Sequence, residues 1–311
     1  MKKVLVTDYV HESLIRGLES MGFNVYYDPN YNVSELEKDL PGLSGIVINS
    51  KIKMFAERIE MANELEFIAR LGSGLEIIDL QSAEKNKVKV YNSPEGNRNA
   101  VAEHAMGMLL SLSNNILRGD REVRKQEWFR EANRGFELEG KTIGIVGLGN
   151  TGKSMARKLS GWSLKVVFHD PHVLNVPPDL DYIESVSLEK LIKIADIISL
   201  HVQLTPETNH LVDNAFIQKC KKGFILINTS RGSVIDTKSV VEGLENGQIG
   251  GACLDVFENE KPTTYTSEEN SLYSRLFKLN NVVLTPHVAG WTNESLFKIA
   301  QVLLDKIKCG I

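Results

Sequence analysis

Along the first ninety residues, short apolar runs alternate with amphipathic segments. The runs at 4–6, 25–27, 45–48, 67–69 and 88–91 have the length and the β-branched or aromatic content of strands. Between them, 12–21, 33–40 and 56–61 space their apolar residues as helices do. That rhythm predicts a parallel α/β sheet covered on both faces. A polar loop at 92–97, carrying Pro94 and Gly96, marks a domain boundary. A long helix is predicted over 99–117, apolar at Val101, Ala102, Ala105, Met108, Leu109 and Leu112. A charged stretch, 118–139, follows and carries Trp128 and Phe129. The α/β rhythm then resumes with apolar runs at 142–146, 164–168, 197–200, 224–227, 250–254 and 281–284, and a helix over 294–306 closes the chain. Residues 261–274, polar and turn-rich, predict a surface excursion.

The strand at 142–146 runs directly into Gly147-x-Gly149-x-x-Gly152, and a helical segment follows. Each glycine has a use in a dinucleotide-binding turn. Gly147 permits the tight turn, Gly149 lets backbone approach a pyrophosphate, and Gly152 lets helix pack closely on strand. Asn150 and Thr151 open the helix, whose N-terminal N–H groups and partial positive charge suit phosphates. Asp170 ends the next apolar run about 20 residues on, where a carboxylate accepts the adenosine-ribose hydroxyls. The same carboxylate repels a 2′-phosphate, and no Arg follows in Pro171, His172 and Val173, so NAD is expected over NADP.

Composition narrows the class without choosing a chemistry. With 42% hydrophobic and 24% charged residues, the 311-residue chain has the make-up of a soluble globular protein. A net charge of −4 gives no reason to expect nucleic acid or an anionic membrane as partner. No apolar stretch approaches the roughly 20 residues that span a bilayer, and the start reads as a first strand rather than a signal peptide. Cys220, Cys253 and Cys309 lack pairing or metal spacing and suit a reducing compartment, so the cytoplasm is expected. Asp8, Asp79 and Asp170 do not group with His at metal spacing, and no metal is expected.

Three polar clusters follow strands of the second α/β region, where open sheets place their ligands: 228–232 with Arg231, 255–260 with Glu260, and 285–290 with His287. Taken singly, Arg231 serves equally well as a carbonyl cap, His287 as a loop histidine and Glu260 as solvated charge. Together beside a nicotinamide site, the three suit hydride chemistry. Arg offers a two-pronged donor for a carboxylate and its neighbouring carbonyl. His titrates near neutrality and can give or take a hydroxyl proton. A carboxylate on the imidazole fixes its tautomer and favours the protonated form needed for carbonyl reduction.

These stretches, with Arg70 to Gly74 and the run Val101, Ala102, Glu103, His104, resemble in order and spacing the D-isomer-specific 2-hydroxyacid dehydrogenase family, most closely its phosphoglycerate dehydrogenase branch. The resemblance implies two doubly wound parallel-sheet domains. A flavodoxin-like substrate domain would take 1–98 and 288–311, and a Rossmann NAD-binding domain 99–287, with closure at the two crossings. It implies catalytic roles for Arg231, Glu260 and His287, and backbone donors to the substrate carboxylate near Ser73 and Gly74. Asp255 would bond the nicotinamide carboxamide beside Gly290, while His201, Val202 and Thr229 line the cofactor groove. His104 is read as packing at the hinge helix. The 118–139 segment matches the arm with which such proteins embrace a second subunit, so a homodimer is expected. No room is expected for an appended regulatory domain.

Four positions depart from the family pattern: Gln203, Lys261 and Trp291 replace residues commonly found there, and Asn49 stands where phosphoglycerate-specific relatives tend to carry Arg. Ser50, Lys51 and Lys53 beside it form a candidate phosphate-holding loop, with plain solvated lysines as the alternative. The leading expectation is NAD-dependent interconversion of 3-phospho-D-glycerate and 3-phosphohydroxypyruvate. The alternatives are a glyoxylate/hydroxypyruvate or D-lactate-type reductase, and an NADH-sensing protein similar to the C-terminal-binding corepressors.

Overall fold

A computed structural model describes residues 1–173 and 175–310. The chain divides into two compact units, Met1–Arg98 with Trp291–Ile311, and Asn99–Gly290.

The first unit is built on five parallel strands, β1 (Lys3–Val6), β2 (Asn24–Tyr27), β3 (Gly45–Ile48), β4 (Phe67–Arg70) and β5 (Lys89–Asn92), in the order β2-β1-β3-β4-β5. This is the flavodoxin-like arrangement. Alternate side chains enter opposite cores: Leu5, Ile46, Ile48 and Ile68 pack on one face, Val4, Val6, Val47 and Phe67 on the other. Continuous apolar strands are the consequence of that double burial. The closing helix, Asn293–Gly310, returns to this unit and adds Ala300, Leu303, Leu304 and Ile307 to the second face. Gly17 admits it, since a Cβ there would lie 2.5 Å from the Leu304 methyls.

The second unit carries seven parallel strands: β6 (Thr142–Val146), β7 (Lys165–His169), β8 (Glu184–Ser185), β9 (Ile197–Leu200), β10 (Phe224–Asn228), β11 (Ile249–Leu254) and β12 (Val282–Leu284). Their order is β12-β11-β10-β9-β6-β7-β8, the Rossmann order extended by one strand. The order reverses between β6 and β9, and the glycine turn follows β6, so the phosphate-binding loop opens at the switch point.

Several boundaries differ from those read in the sequence. The long helix begins at Pro94, not at 99, because proline's fixed φ and missing N–H suit a first helical turn. It stops at Ser113: Asn115 turns left-handed, at φ +53, and a separate helix, Ile116–Arg124, follows. The region 261–274 is no mere excursion. Thr266 and Glu269 form a reciprocal capping box that starts helix Ser267–Lys278, and its buried Tyr273 stacks on Tyr265 at 4.6 Å. The second crossing falls after Gly290 rather than at 287, because the N–H groups of Val288 and Ala289 are tied to Asp255 in the second unit. Among the described residues, no helix is long and apolar enough to cross a membrane.

Candidate active site

The loops after β10, β11 and β12 meet around a cavity of about 350 Å³, whose lining includes Arg231, Phe257, Glu258, Glu260, Lys261 and His287. Each loop is shaped by a residue other than the one it presents. After β10, the fully buried Asn228 accepts from the N–H and hydroxyl of Ser230, at 3.0 and 2.7 Å, and donates to the Arg231 carbonyl at 2.9 Å. Arg231 is thereby held extended, and its guanidinium also donates to the Ser230 carbonyl at 2.7 Å. Gly232 follows because a Cβ there would lie 1.9 Å from the Phe257 carbonyl oxygen, so only glycine lets the first two loops touch.

Glu260 and His287 meet from loops 27 residues apart. His287 Nδ1 lies 2.9 Å from both Glu260 carboxylate oxygens. Bonding through Nδ1 leaves Nε2 as the ring nitrogen that can serve a substrate. Burial works against a charged Glu260. The His287 hydrogen bond and charge, the Phe257 N–H and the Arg231 charge outweigh it, and the carboxyl sits below its ordinary range. His287 has φ +55, a left-handed conformation uncommon outside glycine and concentrated at functional sites.

Asp255 fixes that third loop. It is 1% exposed, and its carboxylate accepts from Thr285 Oγ1 at 2.6 Å and from the N–H groups of Val288 and Ala289 at 2.9 Å each. Its carbonyl accepts the His287 N–H at 2.8 Å. The resemblance puts Asp255 on the nicotinamide carboxamide and Gly290 beside the ring; the same carboxylate also holds the loop that ends at Gly290. His104 is more than hinge packing, since its Nε2 lies 2.9 Å from Thr285 Oγ1. No sequence pattern joins two residues 181 positions apart.

The glycine turn fits a dinucleotide. Gly147 has φ +91, and a Cβ on it would lie 2.6 Å from the His201 carbonyl oxygen. A Cβ on Gly152 would lie 2.1 Å from the Gly147 carbonyl oxygen, whereas one on Gly149 would point into open space, where a pyrophosphate approaches. Helix Asn150–Leu159 begins there with Asn150 and Thr151 in its first turn. Asp170 accepts from the N–H groups of Leu148 and His172 at 2.7 and 2.8 Å, one on each carboxylate oxygen, which leaves lone pairs on both. Around this turn, His201 Nδ1 and Thr229 Oγ1 are buried with no hydrogen-bond partner. Unmet polar atoms at a ligand groove are what a bound cofactor would satisfy. Burial holds the His201 imidazole neutral, its pKa pushed down to about 4, and Val202 packs against the core.

The remaining candidates belong to the first unit. Ser73 and Gly74 follow β4 in a loop fixed by a bond from Asn92 Nδ2 to the Ser73 carbonyl at 2.8 Å and by two bonds between Gly72 and Ser93. Ser50 is exposed. Lys51 donates to the Pro29 carbonyl at 2.9 Å, and the Lys53 ammonium lies 5.8 Å from the Phe55 ring centroid. The Asn49 N–H donates to the Asp8 carboxylate at 3.0 Å, which puts an acid where a phosphate-binding site would want a base.

A Rossmann sheet and a glycine turn shaped for a pyrophosphate define a dinucleotide-binding protein. Residues 106–289 match the family model described as D-isomer specific 2-hydroxyacid dehydrogenase, NAD binding domain. The chain belongs to the D-isomer-specific 2-hydroxyacid dehydrogenase family, whose cofactor is NAD. It is 38% identical to a hydroxypyruvate reductase of Thermotoga maritima over 88% of this chain and 86% of that one. It is 33% identical to a D-3-phosphoglycerate dehydrogenase of Archaeoglobus fulgidus, over 98% of this chain but 56% of that one. The chain thus spans little more than half the length of that relative. A D-lactate dehydrogenase of Aquifex aeolicus, solved with NAD and lactic acid, is 28% identical with a TM-score of 0.85, covering 99% of this chain and 96% of that one.

Proposed function

We propose that this chain interconverts a D-2-hydroxy acid and its 2-keto acid, with Arg231, Glu260 and His287 as the catalytic residues. NAD, when bound, supplies the hydride acceptor or, as NADH, the donor. Arg231 clamps the carboxylate and the keto oxygen; His287 exchanges the proton with that oxygen through Nε2; Glu260 orients His287 and balances its charge. The observation that carries this reading is the two-oxygen contact of Glu260 with His287, 2.9 Å on each side, in the cavity that Arg231 also lines.

The substrate proposed is a short unphosphorylated acid of the hydroxypyruvate or glyoxylate kind. Supporting it are the local engagement of Lys51 and Lys53 and the Asp8 carboxylate at the Asn49 corner, which repels a phosphate. The likeness to a hydroxypyruvate reductase over most of both chains agrees. The second reading is 3-phospho-D-glycerate and 3-phosphohydroxypyruvate, favoured by phosphoglycerate dehydrogenases 33–34% identical over 98–99% of this chain. NADH oxidation with hydroxypyruvate, glyoxylate, pyruvate and phosphohydroxypyruvate side by side decides between them. A preference of more than about tenfold in kcat/KM, roughly 1.4 kcal/mol, for the phosphorylated acid overturns the first reading.

The reading includes a homodimer joined through 118–139, where Trp128 is 75% and Phe129 52% exposed on one monomer. Three free cysteines, two of them buried, suit a reducing compartment.

A further inference from the structure

His104 lies on helix Pro94–Ser113, far in sequence from all three loops of the site. The Asp255 carboxylate can only accept, so the single hydrogen of the Thr285 hydroxyl, 2.6 Å away, goes to it. That hydroxyl must then accept from its other neighbour, and His104 Nε2 at 2.9 Å carries the proton. Nε2 also lies 3.6 Å from Asp255 Oδ1. A directed chain results: His104 donates to Thr285, Thr285 donates to the Asp255 carboxylate, and that carboxylate grips the N–H groups of Val288 and Ala289 directly after His287.

We propose that His104 is a positioning residue for His287, acting through Thr285 and Asp255. The inference rests on the acid–base role proposed for His287. The physical need is specific. His287 stands at φ +55, a conformation that persists only where its surroundings over-determine it. The Asp255 carboxylate supplies two of those constraints, on the N–H groups of Val288 and Ala289, its main-chain carbonyl adds a third on His287, and the carboxylate's rotamer is fixed on the far side by the His104–Thr285 pair. With that pair removed, the carboxylate gains freedom, the loop relaxes, and His287 Nε2 shifts relative to the reacting oxygen. Displacements near 1 Å at such a distance cost on the order of 10²-fold in turnover.

The test uses NADH oxidation with the keto acid of highest turnover, on His104→Leu, His104→Gln, Thr285→Val, His287→Ala and the double variant His104→Leu/His287→Ala. Gln keeps an amide donor near the position of Nε2; Leu removes it. The expected result is a kcat for His104→Leu at least about tenfold lower, with NADH affinity by fluorescence titration within about twofold of the parent. His104→Gln should recover most of the loss, and Thr285→Val should lower kcat in the same direction. The double variant should be no worse than His287→Ala alone, because residues acting as a unit are not additive. Thr285→Val keeps the question answerable should His104→Leu fail to fold. Normal kcat in His104→Leu or Thr285→Val, no rescue by Gln, or a multiplicative double variant overturns the inference. Near-parent turnover in His287→Ala overturns the acid–base reading beneath it and is seen independently of the other variants.

Discussion

The two sheets of this protein are built alike, yet their strand-end loops are held in different ways. In the first unit the loop after β4 is held by a mixture of backbone and short uncharged side chains: Gly72, at φ +142, donates its N–H to the Ser93 hydroxyl and accepts the Ser93 N–H, and Asn92 Nδ2 donates to the Ser73 carbonyl. In the second unit the loops after β10 and β12 are clamped by buried side chains, Asn228 at 0% and Asp255 at 1% exposure, whose polar atoms are engaged by neighbouring groups. A parallel sheet supplies the same platform in both cases. What differs is the precision demanded of the side chains it presents. Backbone donors for a carboxylate need only a fixed chain path, whereas a proton-transferring imidazole needs a fixed rotamer and tautomer.

The contrast can be broken most forcefully in the second unit. His287→Ala should lower turnover by about 10²–10⁴-fold while NADH binding persists, measured by steady-state kinetics and fluorescence titration. Arg231→Lys should follow with a smaller loss shared between kcat and KM, because an ammonium cannot reproduce the two-pronged fork. Turnover in either variant within a few-fold of the parent would remove the distinction between the units.

A pH scan of stability sharpens the same contrast. His201 is held neutral, with a folded pKa of about 4 against an ordinary 6.5. A depressed histidine contributes stability that is complete above about 6.5 and is lost as pH falls towards 4, because the unfolded chain takes up the proton first. Melting temperature should therefore drop between pH 7.5 and pH 5, and His201→Gln should flatten that drop. An equally steep drop in His201→Gln would assign it to other groups. Glu260 acts in a lower window: with its folded pKa depressed, its contribution is present above the ordinary carboxylate range and fades below it.

The smallest effect is expected in the first unit. Lys51→Ala and Lys53→Ala should change kcat/KM for hydroxypyruvate by less than about twofold, as exposed lysines with local partners contribute little. A large, phosphate-dependent loss with phosphohydroxypyruvate would instead make this loop a recognition site.

Much of this could be read before any fold was known. Strands over 4–6, 45–48, 142–146 and 197–200 are apolar at nearly every position because both faces are covered, and such runs are visible locally. The helix beginning at Ser267 was also legible, through Thr266 and Glu269, but the polar composition of 261–274 masked the capping box. The break at Asn115 was not: a left-handed asparagine leaves no periodicity to detect.

The amino-acid sequence by itself determined the class of fold, the dinucleotide turn with Asp170 about 20 residues beyond it, and the residue types gathered at three consecutive strand ends. All of these are encoded within short windows, where hydrophobic period, glycine placement and strand order act on neighbouring positions. Tertiary structure alone decided which polar groups meet: His104 with Thr285 across 181 residues, Asn49 with Asp8 across 41, and Glu260 with both oxygens on one imidazole nitrogen. Hydrogen bonds are short-ranged and directional, so their partners are fixed by where the packed sheet delivers each loop, a property of the whole chain that no local pattern carries.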